Sequence, residues 1–293
     1  MGRKAGRQRK LQGDYHRRLF HALHDWDRSW EGMLDVAGDA AGARALGFDQ
    51  LGHFGAQGCA LVAAAVAAGV EPGTAVSLAE LGCGFGGALR EIVAGLRARG
   101  VTTGRCVGVD FVAEHVRLFS TIENAADTRT AQPVQADVRA LPLSDGCLDA
   151  VVCTGSLPHF AEVETVFCEA FRVLRPGGLL VMTEETSLRV SGRDLSDDFL
   201  RCHPPDIFFL TDAEERVAQL VRSGFTDIVV RDLTEWADAL LGDRLKAMRL
   251  FFGDVAEIFG TDETKTLLDT LAAAREEYRR GTVKPAVVTA RRP

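Results

Sequence analysis

A glycine-rich segment, residues 80–87 with the sequence ELGCGFGG, is the part of the chain best suited to hold a ligand. It leaves an apolar stretch and opens a predicted helix. Gly82, Gly84 and Gly86 allow a tight turn and a close approach of backbone to ligand, while a helix N-terminus presents free N–H groups. Gly82, Gly84 and Gly87 fit the dinucleotide fingerprint G-x-G-x-x-G, and Glu80, Gly82, Gly84 and Gly86 fit E-x-G-x-G-x-G equally well. The turn predicts a cofactor site and leaves the identity of the cofactor open.

Two aspartates follow the next two predicted strands. Asp110 ends the apolar run VGVD, where its carboxylate can accept hydrogen bonds from both hydroxyls of a ribose. It lies further from Gly82 than the ~20 residues usual in dinucleotide-binding folds. Asp137 follows the run VQA, where it can accept a hydrogen bond from an adenine amino group. Together the two acids favour an adenosine-containing cofactor.

The elements that must position these residues alternate between short apolar strands and helices. Such alternation, with nearly continuous apolar strands, predicts a parallel sheet covered on both faces. The predicted strands are Ala75–Leu81, Cys106–Asp110, Pro133–Ala136, Leu148–Cys153, Leu179–Thr183, Asp227–Asp232 and Ala286–Ala290, and the helices between them are Ala88–Arg99, Ala113–Ala126 and Val163–Leu174.

The chain divides into three parts on this pattern. Residues 1–73 form a helical preface, with Asp14 as a helix N-cap, Leu19, Ala22, Leu23 and Trp26 at helical spacing, and a second helix over Gln57–Ala68. Residues 74–185 form the cofactor-binding core. Residues 186–293 supply the last two strands and a helical cap, with helices over 198–222 and 234–280.

Two further motifs are LPLSDGCLDAV at 141–151 and FRVLRPGGLL at 171–180. Together with the glycine-rich segment and the two aspartates, they form a set of motifs that covers roughly residues 76–185. The chain resembles the class I S-adenosylmethionine-dependent methyltransferases, in particular the small-molecule group that includes ubiquinone, sterol and tocopherol methyltransferases. The resemblance implies an α/β, Rossmann-like sheet of seven strands in the order 3-2-1-4-5-7-6, with the last strand antiparallel. The segment Val283–Arg291 fits that last strand.

The resemblance also implies S-adenosylmethionine as cofactor and assigns residues to it. Glu80, Gly82, Gly84 and Gly86 line the methionine and ribose end, Asp110 binds ribose with Phe111 beside the adenine, Asp137 and Val138 lie on the adenine edge, and Thr154 lies near the methionine portion. Asp149, at a strand start, is interpreted as structural.

Candidates for catalysis follow strands four and five, at the sheet edge where such folds bind ligands. His159 is either a general base or a residue that shapes the pocket. Of Glu184 and Glu185, one is expected to face the site and the other solvent, and Glu184 is the predicted catalytic acid. From the preface, Tyr15 as a catalytic residue and His53 as a substrate contact are expected to close over the methyl group.

The cap is rich in phenylalanine. Phe208, Phe209 and Phe252 are predicted substrate contacts, with Phe251 and Phe259 beside them; Leu245, Met248, Phe252, Val255 and Phe259 share one predicted helix face, and Tyr278 lies on another. Such a cap indicates a largely apolar acceptor, terpenoid, prenylated, aromatic or polyketide-like, methylated on carbon, oxygen or nitrogen. The face could equally be core or the interface of a homo-oligomer. Asp194, Asp197 and Asp198 keep an amine acceptor open.

Composition bounds the remaining possibilities. The 293 residues include 34 Lys and Arg against 41 Asp and Glu, a net charge of −7. Five cations stand in the first ten residues, but an acidic body disfavours nucleic acid as the main substrate.

The longest apolar run, Cys59–Val70, is shorter than the ~20 residues of a membrane span, and no secretory signal is expected. The seven cysteines form no C-x-x-C pair and no Cys/His cluster, so we expect reduced thiols, no metal site and a cytoplasmic protein. Methylation of RNA or protein, and an NAD(P)-dependent oxidoreductase using the same turn, remain the alternatives.

Overall fold

The computed structural model of the chain describes residues 7, 10–15, 26–38, 49–50, 52–125, 130–187 and 194–293. Of the helical positions predicted in the preface, Leu19, Ala22 and Leu23 lie outside these residues. Residues 10–15 are helical, so Asp14 lies within a helix rather than at its N-cap, and that prediction is wrong.

The centre of the fold is one seven-stranded sheet in the order β3-β2-β1-β4-β5-β7-β6, as predicted. Strands β1 to β5 run parallel, and β7 pairs antiparallel with both β5 and β6. The strands are β1 (Val76–Leu81), β2 (Thr103–Asp110), β3 (Gln132–Gln135), β4 (Leu148–Thr154), β5 (Leu174–Ser187), β6 (Thr226–Asp232) and β7 (Val283–Arg291). All seven predicted strands are therefore found, and most of them are longer than expected.

Ten helices, in addition to the helical segment 10–15, are described around this sheet. They are α1 (Trp26–Ala37), α2 (Gly55–Gly69), α3 (Gly87–Ala98), α4 (Ala113–Ala125), α5 (Val163–Val173), α6 (Asp197–Cys202), α7 (Ala213–Arg222), α8 (Thr234–Leu250), α9 (Phe252–Phe259) and α10 (Thr261–Arg280), with a short 3-10 turn at Leu157–His159. Helices α5 and α7 pack on one face, and α2 and α3 pack on the other. None of the described helices is both long enough and apolar enough to cross a bilayer.

The cap differs from its sequence prediction in two places. Residues 203–212 connect α6 to α7 without helical structure, so the region over 198–222 that was expected to be helical is helical only at its two ends. The continuous helix face expected over 245–259 is interrupted, because α8 ends at Leu250, Phe251 is 54% exposed, and α9 begins at Phe252. The core of the cap lies instead between α6, α8 and α10, around the buried side chains of Phe199, Leu241 and Tyr278.

The end of β5 carries two adjacent acids, Glu184 and Glu185, and both are buried. Successive side chains of a strand point to opposite faces, and both faces are covered here. Glu184 therefore meets Arg216 of α7 rather than water, with Arg216 Nε 2.7 Å from Glu184 Oε2 and side-chain exposures of 3% and 0%. The expectation that one of the two acids faces solvent is wrong.

This buried pair predicts a large stability effect from the change Arg216→Ala. Removing the guanidinium leaves the Glu184 carboxylate buried without its cation, which costs ~3–5 kcal/mol of the free energy of unfolding. The matched change Arg222→Ala breaks a half-exposed pair with Glu164 and Glu215 and should cost less than ~1 kcal/mol. Urea unfolding of both variants at pH 7 measures the difference. Equal losses would contradict a buried ion pair at Glu184.

Candidate functional site

The glycine turn connects β1 to α3 through three left-handed residues. Gly82, Gly84 and Gly86 have φ values of 72°, 53° and 79°. A Cβ at Gly82 would lie 2.6 Å from the Cβ of Ser156, and a Cβ at Gly86 would lie 2.5 Å from the ring of Phe119. The turn therefore needs glycine both for its backbone conformation and for the space around it.

Glu80 stands just before this turn and is fully buried. Its Oε1 accepts a hydrogen bond from the Thr154 hydroxyl, whereas Oε2 has no hydrogen-bond partner among the described residues. Burial raises the pKa of Glu80 to about 8. An unpaired, buried acceptor beside a glycine cradle suits the amino or hydroxyl donors of a bound ligand.

Asp110 lies at the end of β2 and holds the glycine turn in place. Its Oδ2 accepts a hydrogen bond from the Gly84 N–H at 2.9 Å, and its Oδ1 accepts one from the Val112 N–H at 2.8 Å. Each carboxylate oxygen has a second lone pair, so the ribose contact implied by the resemblance is still open. The anchoring role toward Gly84 was not foreseen from the sequence.

Asp137 and Asp149 differ in their surroundings. Asp137 lies at the cavity and accepts hydrogen bonds from the guanidinium of Arg139, with Nη2 at 2.9 Å from Oδ2. Asp149 lies in β4 away from the cavity, accepts a hydrogen bond from the Ser77 N–H at 2.6 Å and pairs with Arg175. Asp149 thus ties β4 to β1.

One continuous cavity runs from the glycine turn to the cap. It is lined by thirteen of the predicted site residues, namely Tyr15, His53, Glu80, Gly82, Gly84, Asp110, Phe111, Asp137, Val138, Thr154, His159, Glu184 and Phe208. Three predicted site residues, Gly86, Phe209 and Phe252, are not in its lining; Gly86 is the N-cap of α3. Of the five cap phenylalanines only Phe208 lines the cavity, and Asp194, Asp197 and Asp198 do not.

The half of the cavity under the cap is walled by aromatic rings. The ring of Phe208 lies 4.5 Å from that of His159 and 5.5 Å from that of Tyr15, centroid to centroid. Gln12 holds the helical segment 10–15 in place, because its Nε2 donates to the carbonyl oxygens of His159 at 3.1 Å and Ile207 at 2.7 Å. Segment 10–15 therefore forms part of the wall at this end of the cavity.

A polar cluster around Glu185 forms the remaining wall. Glu185 Oε1 lies 3.1 Å from His53 Nδ1 and accepts a hydrogen bond from the Tyr278 hydroxyl. Although burial alone would raise the pKa of Glu185, His53 and the other neighbours lower it to about 2. His203 lies beside His53 with ring centroids 5.6 Å apart, and burial lowers the pKa of His203 to about 4.

Sequence reasoning missed part of this cluster. Tyr278 was predicted as a helix-face residue, but it is buried with its hydroxyl on Glu185. Adjacent residues of a strand point to opposite faces of the sheet. Had the position of α7 been known, this alternation would have assigned Glu184 to the face that α7 covers and Glu185 to the other face. Nothing in the local sequence marks His203, which joins the cluster from the connection after α6.

Ion pairs also connect the segment before α2 to the end of the cavity that contains the glycine turn. Arg90 of α3 pairs with Asp49, and its Nη1 lies 3.0 Å from Glu123 Oε1 in α4. Both Asp49 and Gln50 line the cavity. This ion-pair network holds the segment before α2 against the mouth of the glycine turn.

The geometry agrees with comparisons to known proteins. Residues 79–182 match a family described as "Methyltransferase domain". The chain carries a class I S-adenosylmethionine-dependent methyltransferase domain. The matched range spans β1 to β5 and includes the glycine turn, Asp110, Asp137 and Thr154, and S-adenosylmethionine is the cofactor of this domain. The terminal antiparallel strand β7 argues against the oxidoreductase alternative, which predicts none.

Among curated proteins, the chain is 32% identical to a sterol 24-C-methyltransferase of Yarrowia lipolytica over 122 residues. That match covers 40% of this chain and 30% of the relative. The chain thus spans less than a third of the length of this relative.

Among solved structures, the chain is similar to Haemonchus contortus phosphoethanolamine N-methyltransferase 2, with a TM-score of 0.69 and 16% identity over 79% of this chain and 52% of that one. It is also similar to the [4+2]-cyclase SpnF, with a TM-score of 0.60 and 21% identity over 80% of both chains. At these identities the likeness shows the shared fold alone.

The position of Asp110 predicts the effect of Asp110→Ala on cofactor binding. The change removes the anchor of Gly84 and the expected acceptor for the ribose hydroxyls, so we expect S-adenosylhomocysteine to bind ~2–4 kcal/mol more weakly. Titration calorimetry measures the affinity, with circular dichroism as the check on folding. The exposed Asp145→Ala serves as control and should bind normally. Unchanged affinity in a folded Asp110 variant would refute the ribose assignment.

The raised pKa of Glu80 predicts a pH-dependent stability. Between its ordinary pKa and about 8, the folded cofactor-free protein binds more protons at Glu80 than the unfolded chain does, so this contribution to stability is lost as the pH rises toward 8. We expect Glu80→Gln to raise Tm relative to wild type by a margin that grows from pH 5 to pH 8, and to weaken S-adenosylmethionine binding.

Thermal unfolding at several pH values, without cofactor, measures this margin. The exposed Glu164→Gln is the control and should show no such trend. A margin for Glu80→Gln that stays constant across this range would show that Glu80 is ionised throughout.

Proposed function

We propose that the protein transfers the methyl group of S-adenosylmethionine to a small acceptor with a largely apolar body and one polar group. The observation that carries this proposal is the single cavity, which has the glycine turn and the unpaired Oε2 of Glu80 at one end and the ring-lined wall at the other. A cofactor at the first end and an acceptor at the second would meet inside one enclosure.

The demands of the reaction fit what this chain supplies. S-adenosylmethionine, when bound, provides a methyl group already activated on a sulfonium. The protein must hold the acceptor close and in line and must exclude water, and positioning of this kind can account for ~7–11 kcal/mol of the barrier. Segment 10–15, held by Gln12, and Asp49, paired with Arg90, stand where they would help to exclude water.

The walls of the acceptor half favour an apolar body. Tyr15, His159 and Phe208 offer ring faces and edges, and Phe54 and Leu267 add apolar surface. Aromatic side chains bury large areas and desolvate a bulky ligand. The relative from Yarrowia, named for methylation of a sterol, is in keeping with such an acceptor.

The polar group of the acceptor is assigned to the Glu185 cluster. Glu184, the acid predicted to be catalytic, has its Oε2 bonded to Arg216. Glu185 lines the cavity beside Glu184, and its carboxylate is grouped with His53 and His203. His159, in contact with Phe208, is the candidate base on the other wall, and Tyr15 lies next to it at a ring-centroid distance of 6.2 Å.

A cationic amine is the second candidate acceptor. The lowered pKa of Glu185 keeps its carboxylate charged, and the rings of Tyr15 and Phe208 could add cation–π attraction. The similar fold of the phosphoethanolamine enzyme is compatible with this alternative.

Methyl transfer from labelled S-adenosylmethionine tests the proposal. The acceptors are a sterol, a prenylated phenol and a terpene alcohol against ethanolamine and phosphoethanolamine. We expect Phe208→Ala to raise KM for the apolar acceptor at least ~10-fold without changing cofactor affinity, because it removes a ring from the acceptor wall. The control Phe251→Ala changes an exposed ring outside the cavity and should behave as wild type. Turnover of the amines alone would transfer the assignment to them, and no turnover with any acceptor class would refute methyl transfer to small molecules of these kinds.

A further inference from the structure

Two histidines and one acid from distant parts of the sequence meet at the acceptor end of the cavity. His53 precedes α2, Glu185 lies near the end of β5, and His203 follows α6. One ligand atom from each lies within 4.8 Å of the others. All three line the cavity.

We propose that His53, Glu185 and His203 bind one divalent transition-metal ion. Two imidazole nitrogens and a carboxylate oxygen are ligands typical of Zn²⁺, Fe²⁺ and Co²⁺ rather than of Mg²⁺ or Ca²⁺. Three protein ligands leave at least one coordination position open, and here the cavity adjoins that position. The set therefore has the composition of a reactive or substrate-binding metal site rather than of a closed structural one.

His203 is the residue that points most directly to a ligand. It is 3% exposed, and its Nδ1 lies 3.2 Å from the carbonyl oxygen of Phe199, to which it can donate. That hydrogen bond leaves Nε2 as the nitrogen with a free lone pair, and Nε2 is buried without a partner in the described part of the chain. A buried acceptor without a donor is costly, and a metal ion would satisfy it.

The surroundings of the three residues resemble the supports of known metal ligands. Metal-binding histidines usually donate their second ring N–H to a carbonyl or carboxylate, and ligating carboxylates are themselves hydrogen-bonded. The Phe199 carbonyl serves His203, whose ring also stacks on the Phe199 ring at 4.1 Å, and the Tyr278 hydroxyl donates to Glu185. Two of the three ligands are thus held in place by partners outside the cluster.

The spacing needs only a small adjustment. Ligand atoms on one Zn²⁺ lie roughly 3.0–3.5 Å apart, given bonds of about 2.0–2.2 Å. The contact of 3.1 Å between His53 Nδ1 and Glu185 Oε1 already falls in that range. The wider separations within the cluster must close by no more than about 1.5 Å, which side-chain rotation can supply. On binding, the ion takes the place of any proton held between His53 and Glu185, and that proton passes to solvent.

The ion has a direct use if the proposed methyl transfer is correct, and this step rests on that proposal. Its open position would bind an oxygen of the acceptor, as a phenol, enol or other hydroxyl, and would lower the pKa of that group while fixing its direction. The substrate class narrows accordingly to apolar acceptors with a metal-binding oxygen. Metal binding itself requires neither cofactor nor acceptor.

The test uses tag-free, full-length protein with neither cofactor nor acceptor present. After treatment with a chelator and its removal, the protein is titrated with Zn²⁺ by calorimetry and with Co²⁺ by visible absorption. We expect close to one equivalent of each ion and the absorption bands of Co²⁺ with nitrogen and oxygen ligands. Less than a fifth of an equivalent, or no such bands, would overturn the proposal.

Variants then assign the ligands. His203→Ala, His53→Ala and Glu185→Gln should each weaken Zn²⁺ binding at least tenfold, and Tyr278→Phe should weaken it by a smaller factor because only a supporting hydrogen bond is lost. The matched control is His159→Ala, a histidine of the same cavity outside the cluster, which should bind Zn²⁺ as wild type does. Wild-type affinity in the His203 and Glu185 variants would also overturn the site.

The result can be separated from the fate of the proposed function. Affinity for S-adenosylhomocysteine, measured on each variant, reports folding and the cofactor half independently. Metal binding without methyl transfer would support the site and refute its use, whereas methyl transfer by chelator-treated protein at an undiminished rate would refute only the role of the ion in the reaction.

Discussion

Four carboxylates, those of Glu80, Asp110, Glu184 and Glu185, are buried along the carboxyl edge of one sheet, and the cost of burying their charge governs what surrounds them. A buried carboxylate without compensation loses several kcal/mol of solvation. Each of the four meets this cost differently. Asp110 takes backbone N–H groups, Glu184 takes Arg216, and Glu185 takes His53 and Tyr278. Two oxygens, Glu80 Oε2 and Glu184 Oε1, are left without a hydrogen-bond partner in the described part of the chain.

Glu184 and Glu80 differ in what partners their bonded oxygen. Glu184 Oε2 pairs with the Arg216 guanidinium of α7, which ties a helix to the sheet. The bonded oxygen of Glu80 has only the neutral Thr154 hydroxyl as partner, and burial raises the pKa of Glu80 to about 8. A site that is complete only with its ligand is less stable when empty, which is the usual relation between binding sites and stability. The same reasoning applies to the unpaired Nε2 of His203 at the other end of the cavity.

The sheet and the glycine turn could be predicted from the sequence because their determinants are local. Apolar runs mark the strands, Gly82, Gly84 and Gly86 mark the turn, and Asp110 stands at a strand end beside it. The acceptor half is different, since its residues come from segment 10–15, the turn before α2, the end of β5 and the connection at 203–212. Only tertiary packing brings His53 and His203 together, so spacing along the chain could not reveal a cluster.

The phenylalanines of the cap illustrate the same limit. Apolar side chains at helical spacing predict which face is buried but not against what. Phe259 is buried in α9 and Phe251 is exposed at a helix break, whereas Phe208 reaches the cavity from a segment without helical structure. The ring that lines the cavity is therefore the one least favoured by periodicity.

Two walls of the cavity under the cap favour one orientation of an acceptor. Rings of Tyr15, His159 and Phe208 form one wall, and the polar cluster of His53, Glu185 and His203 forms another, with His203 in edge contact with Phe208 at 4.8 Å. An acceptor with an apolar body and one oxygen would bury its body against the rings and present its oxygen to the cluster. The reverse orientation would leave a charged carboxylate against hydrocarbon, which is unfavourable. The arrangement thus selects one end of the acceptor for the polar wall and, with it, which atoms can approach the methyl group.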